Sequence, residues 1–301
     1  MIARPSSRVL FGISLTPSAQ DYPQLVEQVL AAERGGLDLV GIQDHPYQRR
    51  FLDTFALIAD LLARTARLRI FPDVANLPLR GPTMIAKAAA SLGVMSGGRF
   101  ELGIGAGAFW DAVAGMGGPR RSARESIDAL EEAMRIVRAA LNGERVVRGA
   151  GPHYPVPGYP PGPPPAHRIE LWVGAYRRRG LDLIARLGDG WVPSLSYLGP
   201  ERFRGAAARL DDAAVKAGRD PRTIRRIYNV GGTITDGAVG EGPLVGPVGR
   251  WVETLTSWSI ELGVDAFIFW PASAASEQVE RFARGVVPAV RRALAADGSS
   301  V

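Results

Sequence analysis

Apolar positions along the chain switch repeatedly between short unbroken runs and a three-to-four spacing, and each switch marks a new element. The run RVLFGISL (residues 8–15) predicts a strand, and the following stretch from Tyr22 to Arg34 places Leu25, Val29 and Ala32 on one helical face. Ser18 and Asp21 stand where they can cap that helix; Gly35 and Gly36 stop it. LDLVGIQ (37–43) is nearly continuous in apolar character, as expected of a strand buried on both faces of a parallel sheet. The alternation goes on through a helix near 53–65, a strand LRIFPDVANL (68–77), a helix 83–96 closed by Gly97 and Gly98, and a strand RFELGIG (99–105). Ser122 and Glu125 form a capping box ahead of Ile127, Leu130, Met134, Val137 and Leu141, whose spacing is that of an amphipathic helix.

Residues 149–167 (GAGPHYPVPGYPPGPPPAH) carry too many prolines and glycines for a helix interior or a central strand, so a long loop is expected there. Alternation then resumes with IELWVGA (169–175), a helix to Leu187, GWVPSL (190–195), a helix 200–217 and IRRIYNVGGTI (224–234). A glycine-rich stretch (236–249) precedes a helix bearing Trp251, Leu255, Trp258 and Leu262, then DAFIFWP (265–271) and a last helix through Val290. Eight consecutive strand–helix units of roughly 38 residues match an α/β fold of the (β/α)₈ or TIM-barrel type, whereas a doubly wound sheet more often has five or six parallel strands. The expectation is one barrel domain spanning residues 1–301, with insertions near 142–168 and 236–249. In such a barrel, chemistry sits on the loops that follow the strands.

Composition narrows the function. With 46% hydrophobic residues among 301, the chain can bury a large core. It has no cysteine, which removes disulfides and thiolate metal sites, and its three histidines (His45, His153 and His167) are too scattered for a zinc motif; no metal is expected. The net charge of +6 comes from 36 basic residues interleaved with 30 acids. Only Arg177, Arg178 and Arg179 are dense, and without a basic stripe with interleaved aromatics no nucleic-acid partner is expected. No segment is apolar enough to cross a bilayer, and the opening MIARPSSRVLF lacks an apolar leader core, so no membrane partner and a cytoplasmic location are expected.

The strand ends hold the candidate chemistry. After the second strand, QDHPY brings Asp44, His45 and Tyr47 to the barrel mouth, where a neutral imidazole can hydrogen-bond a cofactor or relay a proton. The third strand ends in DVANLPLRGP: Asn76 has an amide that donates and accepts, and Pro78 ends ladder pairing, which suits a bulge or bent strand end. The fourth ends in Gly103, Gly105, Gly107 and Ala108, a loose dinucleotide fingerprint with Glu125 further on. That fingerprint needs a helix opening at the glycines, but FWDAVAGMGGPRR intervenes, so the glycines are expected to give a flat ring close access to backbone. The fifth turns through Gly174, Ala175 and Tyr176 into a helix starting with three arginines, where backbone N–H groups, helix dipole and guanidiniums would together hold a phosphate.

GIQDHPY, LPLRGPTMIAKAAASLGVMSGGRFELGIGAG and WVGAYRRRGLDLIARLGDGWVPS together resemble the luciferase-like oxidoreductases, in particular their coenzyme F420-dependent branch. The similarity runs over the whole chain, with its most specific pieces at Ser96–Gly107 and Ile184–Trp191. The resemblance implies a flavin or deazaflavin across the C-terminal mouth of the barrel, with Asp44 and His45 near the reactive ring. It implies that the bulge of Val74, Ala75 and Asn76 supports a ring face, that Gly105 and Gly107 line the ring edge, and that the phosphate rests on Gly174, Ala175, Tyr176, Arg177 and Arg178. It also implies a homodimer through helices of units 2–4. One departure stands out: where the family's sugar-phosphate dehydrogenases place an acid after the glycines of strand 4, this chain has Ala108, which speaks against a glucose-6-phosphate dehydrogenase role. Tyr47, Phe109, Trp110 and Trp270 instead suggest an apolar or aromatic substrate pocket.

The expected activity is hydride transfer between F420 and a small unsaturated or carbonyl-containing substrate, with His45 as hydrogen-bond donor or proton relay. The alternative is an FMN-dependent monooxygenase using O₂ and reduced flavin; a flavin or F420 reductase is a partner to expect. A third reading is a barrel that binds flavin without catalysis.

Overall fold

The computed structural model describes residues 8–271 and 276–298; the opening MIARPSS, read above for a leader, lies outside them. In chain order the elements are β1 (Leu10–Leu15), α1 (Tyr22–Arg34), β2 (Leu39–Ile42), α2 (Thr54–Arg64), β3 (Arg69–Pro72), β4 (Ala75–Asn76), α3 (Pro82–Met95), β5 (Leu102–Gly105), α4 (Trp110–Gly115) and α5 (Ala123–Leu141). They continue with β6 (Val147–Gly149), β7 (Val156–Tyr159), β8 (Leu171–Gly174), α6 (Arg178–Leu187), β9 (Gly190–Trp191), α7 (Pro200–Lys216) and β10 (Arg225–Ile234). The last are β11 (Val245–Gly246), α8 (Val248–Leu262), β12 (Ala266–Pro271), α9 (Ser276–Arg281) and α10 (Val287–Ala296).

Parallel pairing runs β3–β2–β1–β12–β10–β9–β8–β5–β4. An isolated parallel bridge between Ile70 and Phe100 closes the ring below, while β4 pairs β5 above through Ala75 and Ile104. β3 and β4 are therefore one stave broken in the middle, and the barrel has the eight staves that the apolar pattern predicts. The third strand, expected unbroken over 68–77, is interrupted at Asp73–Val74, whose peptide bond is cis. Several staves are shorter than the apolar runs, the sixth reduced to Gly190–Trp191, because apolar runs extend beyond the residues that satisfy ladder geometry.

Helices cover the outside. The capping box is present in full at α5: the Ser122 hydroxyl accepts from Glu125 N, and Glu125 returns the bond to Ser122 N at 2.7 Å. Asp21 sits at the N-cap of α1 but gives no side-chain cap, and Ser18 bridges Phe51 instead. Residues 149–167 are only partly loop: β6 and β7 form an antiparallel ribbon, its tip held where the Glu132 carboxylate accepts from the backbone of His153 and Tyr154 at 3.0 Å. Within the glycine-rich stretch, β11 pairs β10. The last helix is interrupted by a π-turn at Phe282–Val286.

Inside the ring, side chains alternate along each strand between core and helix layer, so inward positions come two residues apart. The lower inward positions hold Leu39, Phe71, Trp172, Ile227 and Ile268, all fully buried, with the Phe71 and Trp172 rings edge-to-face at 4.8 Å. Two residues up the same strands stand Gly41, Asp73, Gly174, Asn229 and Trp270, beside Ser14 of β1 and Gly105 of β5. The plug is thus apolar and filled below, and, Trp270 apart, small or polar at the mouth.

Candidate functional site

The mouth is organised around the break in the third stave. Val74 leaves the ladder there, and three glycines make room for it: a Cβ on Gly105 would lie 2.7 Å from Val74 Cγ2, one on Gly174 3.2 Å from the same atom, and one on Gly103 2.1 Å from Pro72 O. The glycines read from sequence as bare backbone for a flat ring thus first receive the bulge itself. Gly107 is required for another reason: its φ of +99° is left-handed and its Cα face is closed by Pro78 and Trp110.

Asp44 holds the bulge in place. Its buried carboxylate accepts from Asn76 N at 2.8 Å and takes a two-pronged contact from Arg80 at 2.8 and 2.9 Å. Arg80 also reaches Asp53 at 2.6 Å, and Asp53 caps α2 through Ala56 N, so one guanidinium ties the end of β2, the start of α2 and the bulge together. Asp44 is accordingly occupied by protein. Ala75 and Asn76 are buried beside it, and Asn76 Oδ1 is a buried acceptor with no hydrogen-bond partner among the described residues. Arg80, 36 residues from Asp44, was not read from the sequence.

His45 follows directly. Its Nδ1 lies 2.6 Å from Tyr47 Oη, and its ring stands edge-to-face with Phe109 at 5.8 Å and near Phe51 at 6.5 Å. Burial lowers the pKa of the imidazole, against an opposing pull from Asp44, and burial pushes the Tyr47 phenol up to about 12. Both are neutral at pH 7. Phe109 is 61% exposed and in a left-handed conformation at the start of α4, presenting its ring over His45 and Tyr47. Of the four aromatic pocket residues expected, Tyr47 and Phe109 converge on His45 and Trp110 packs over Gly107, behind an exposed Ala108. Trp270 stands at the upper inward position of β12 and lines a groove of about 320 Å³ with Ser14, Thr16, Asp21 and Gln28.

The fifth stave ends as the sequence suggests. Gly174 closes β8, Ala175 O accepts from Trp191 Nε1 at 2.7 Å, and Tyr176 is partly exposed with its ring 5.6 Å from Tyr197. Arg177 is the N-cap of α6 without a side-chain cap, and the first turn's N–H groups have no acceptor within the helix. The arginines do not act as one cluster: Arg179 bonds Asp128 at 2.6 Å and Arg178 leans towards Asp182 at 3.9 Å, while Arg177 forms no ion pair among the described residues.

A set of polar side chains at the base of the mouth escaped sequence reading. Asp73 accepts from Ser14 Oγ at 3.2 Å and from Asn229 Nδ2 at 3.1 Å, and Asn229 also reaches Ser194 Oγ at 3.5 Å. Burial pushes the Asp73 carboxyl up to about 6, opposed by those two hydrogen bonds. An acid inside the otherwise apolar run LRIFPDVANL was the available signal.

A parallel eight-stave barrel with its open, polar mouth at the C-terminal ends of the strands is an architecture that carries enzyme active sites on the loops after its strands. Residues 8–237 match the model of the luciferase-like monooxygenase family, and the chain belongs to that family. It is 30% identical over 213 residues to a 5,10-methylenetetrahydromethanopterin reductase of Archaeoglobus fulgidus, an alignment covering 69% of this chain and 59% of that protein. It is likewise 30% identical over 227 residues to an F420-dependent glucose-6-phosphate dehydrogenase of Gordonia bronchialis, covering 73% and 67%. The chain thus spans about three-fifths of the length of the first of these curated relatives. Its fold matches an F420-dependent secondary alcohol dehydrogenase solved with an F420–acetone adduct, with a TM-score of 0.83 at 17% identity over 94% of this chain and 99% of the other. It also matches the oxygenating constituent of 3,6-diketocamphane monooxygenase from Pseudomonas putida in complex with FMN, with a TM-score of 0.76 at 18% identity over 93% and 98%. No helix among the described residues is long and apolar enough to cross a membrane.

Proposed function

We infer that the protein is an oxidoreductase that moves a hydride between coenzyme F420 and a small apolar molecule bearing a carbonyl or an activated double bond. The observation that carries the reading is the mouth itself: glycine and polar positions open above a filled apolar plug, beside a helix start whose first N–H groups have no acceptor within the helix. The residues fit a planar ring bearing a phosphate. Asn76 Oδ1 and Asn229 Oδ1 are buried acceptors without partners, suited to ring N–H groups, and Val74 with Ala75 offers an apolar face braced from behind by Gly105 and Gly174. Gly174, Ala175, Tyr176, Arg177 and Arg178 would hold the phosphate, with Arg177 forming no ion pair among the described residues. Gly107 would border the ring edge. The F420-dependent relatives named above support the same coenzyme.

When bound, the coenzyme supplies or accepts the hydride. His45 is placed as hydrogen-bond donor to the reacting oxygen: with the Tyr47 O–H donating to Nδ1, the neutral imidazole carries its hydrogen on Nε2. Asp44 acts through the Arg80 contact, fixing the chain before His45 and the bulge opposite. Phe109, Tyr47 and Trp110 cover that corner with apolar surface, which excludes water and suits an apolar substrate; Ala108, lacking a carboxylate, offers no group for a sugar phosphate. The reading extends to a cytoplasmic homodimer of single-domain protomers joined through helices such as α3, whose Met84, Val94 and Met95 are exposed.

A second reading, an FMN-dependent monooxygenase supplied with reduced flavin by a partner reductase, is supported by the family's own description and the FMN-bound structural relative. Titration of the purified protein with F420 and with FMN, followed by absorbance and fluorescence, separates the two: F420 is expected to bind more tightly. His45→Asn should then lower turnover by about 10²- to 10⁴-fold while leaving coenzyme affinity within a few-fold. Failure of both coenzymes to bind, or wild-type turnover in His45→Asn, contradicts the reading. A bound coenzyme whose redox state no reductant or acceptor can change would instead identify a non-catalytic carrier.

A further inference from the structure

Asp73 stands at the base of the mouth without a countercharge. Ser14 faces it from β1, Gly41 from β2 and Asn229 from β10, and a Cβ on Gly41 would lie 3.0 Å from both Asp73 Cβ and Oδ2. Ser194, after β9, closes the far side through Asn229, and Tyr176, after β8, is a titratable neighbour that feels the Asp73 charge, its phenol raised by burial and therefore neutral. No lysine, arginine or histidine forms an ion pair with Asp73 among the described residues; Arg80, the nearest cation along the bulge, is committed to Asp44 and Asp53. The carboxyl is held in an uncompensated polar socket, yet it keeps part of its surface open, and its inward position at the top of a filled barrel turns that surface to the mouth.

Anything flat laid across the mouth removes the remaining water from Asp73, and desolvation without a cation favours the neutral acid. The socket accepts either form, because the Ser14 hydroxyl can donate to a carboxylate or accept from a carboxylic acid, while the Asn229 amide goes on donating to the other oxygen. We propose that docking of the coenzyme ring is coupled to uptake of one proton by Asp73, which makes this carboxyl a binding determinant that senses whether the mouth is covered. The proton comes from solvent: carboxylate plus H⁺ gives the neutral acid on ring binding and is released again on departure. Linkage requires that binding tighten as pH falls through the range between the pKa of the open site, about 6, and the higher value reached when it is covered. His45 works in the opposite sense, since covering an imidazole disfavours its charged form and expels a proton. The sign of the exchange therefore tells the two groups apart.

This inference rests on the reading that a planar redox ring occupies the mouth. The test is calorimetric titration of the intact protein with F420, and with riboflavin as a ring without phosphate, in two buffers of different ionisation enthalpy from about pH 5 to about pH 8. Wild type should take up close to one proton in the upper part of the range, with affinity weakening by up to about tenfold per pH unit there. Asp73→Asn should bind without that uptake and with a flat profile, and Asp73→Ser, which keeps a hydroxyl for Asn229, should behave alike if the first variant folds poorly. His45→Asn should leave the uptake in place. Binding with no proton uptake, or with uptake unchanged in both Asp73 variants, overturns the proposal while the coenzyme reading stands; absence of binding by either probe overturns both.

Discussion

The lower and upper halves of the barrel interior are built from the same strands, two residues apart, and have opposite physical characters. Below, Leu39, Phe71, Trp172, Ile227 and Ile268 interlock with no open surface. Above, Gly41, Asp73, Gly174 and Asn229 occupy the next inward positions together with Trp270, beside a helix start whose first N–H groups have no acceptor within the helix. The lower layer supplies the hydrophobic free energy that lets the upper one carry an uncompensated acid, two unpartnered amide oxygens and a bulged stave. Stability and function are separated by a single pleat.

That separation can be broken from either side. Trp172→Ala removes a fully buried indole from the lower layer and should cost about 3–5 kcal/mol in denaturant unfolding, the largest effect anticipated here. Because the mouth is built on that layer, coenzyme affinity should fall with it. Gly105→Ala acts only above: its methyl would lie 2.7 Å from Val74 Cγ2, so the bulge must shift, at an expected cost of about 1–3 kcal/mol. Its signature should be a coenzyme Kd raised by at least about tenfold, read by fluorescence titration, with the cooperativity of unfolding retained. If Gly105→Ala bound as wild type does, the bulge would have no part in recognition.

Much of the lower half was legible in the sequence. Buried strands read as continuous apolar runs, helices as a three-to-four spacing, and Ser122 with Glu125 announced α5, because these are local signals. Strand ends were less legible, since the ladder decides them. The upper half depends on partners far apart in the chain, and only its glycines, its DH pair and the start of α6 stood out. The partners of these side chains lie far along the chain: Asp44 meets Arg80 across 36 residues and Arg179 meets Asp128 across 51, and neither pairing has a local signal. Trp270 stands near the end of β12, where it lines a groove with Thr16 and Asp21, neighbours that its strand pattern does not announce. Asp73 passed unremarked because nothing in a strand's pattern says which inward position faces a plug and which faces a mouth. The break at Asp73–Val74 likewise has no local signature beyond Pro78, which lies further along.

The central claim is that a planar coenzyme rests on the upper layer, and the structure of the protein crystallised with F420 tests it most directly. The account predicts the ring stacked on Val74 within reach of His45, Asn76 and Asn229, and the phosphate on the first turn of α6 at Gly174–Arg178. A coenzyme found instead in the groove lined by Thr16, Asp21 and Gln28, with the Val74 face bare, would contradict it.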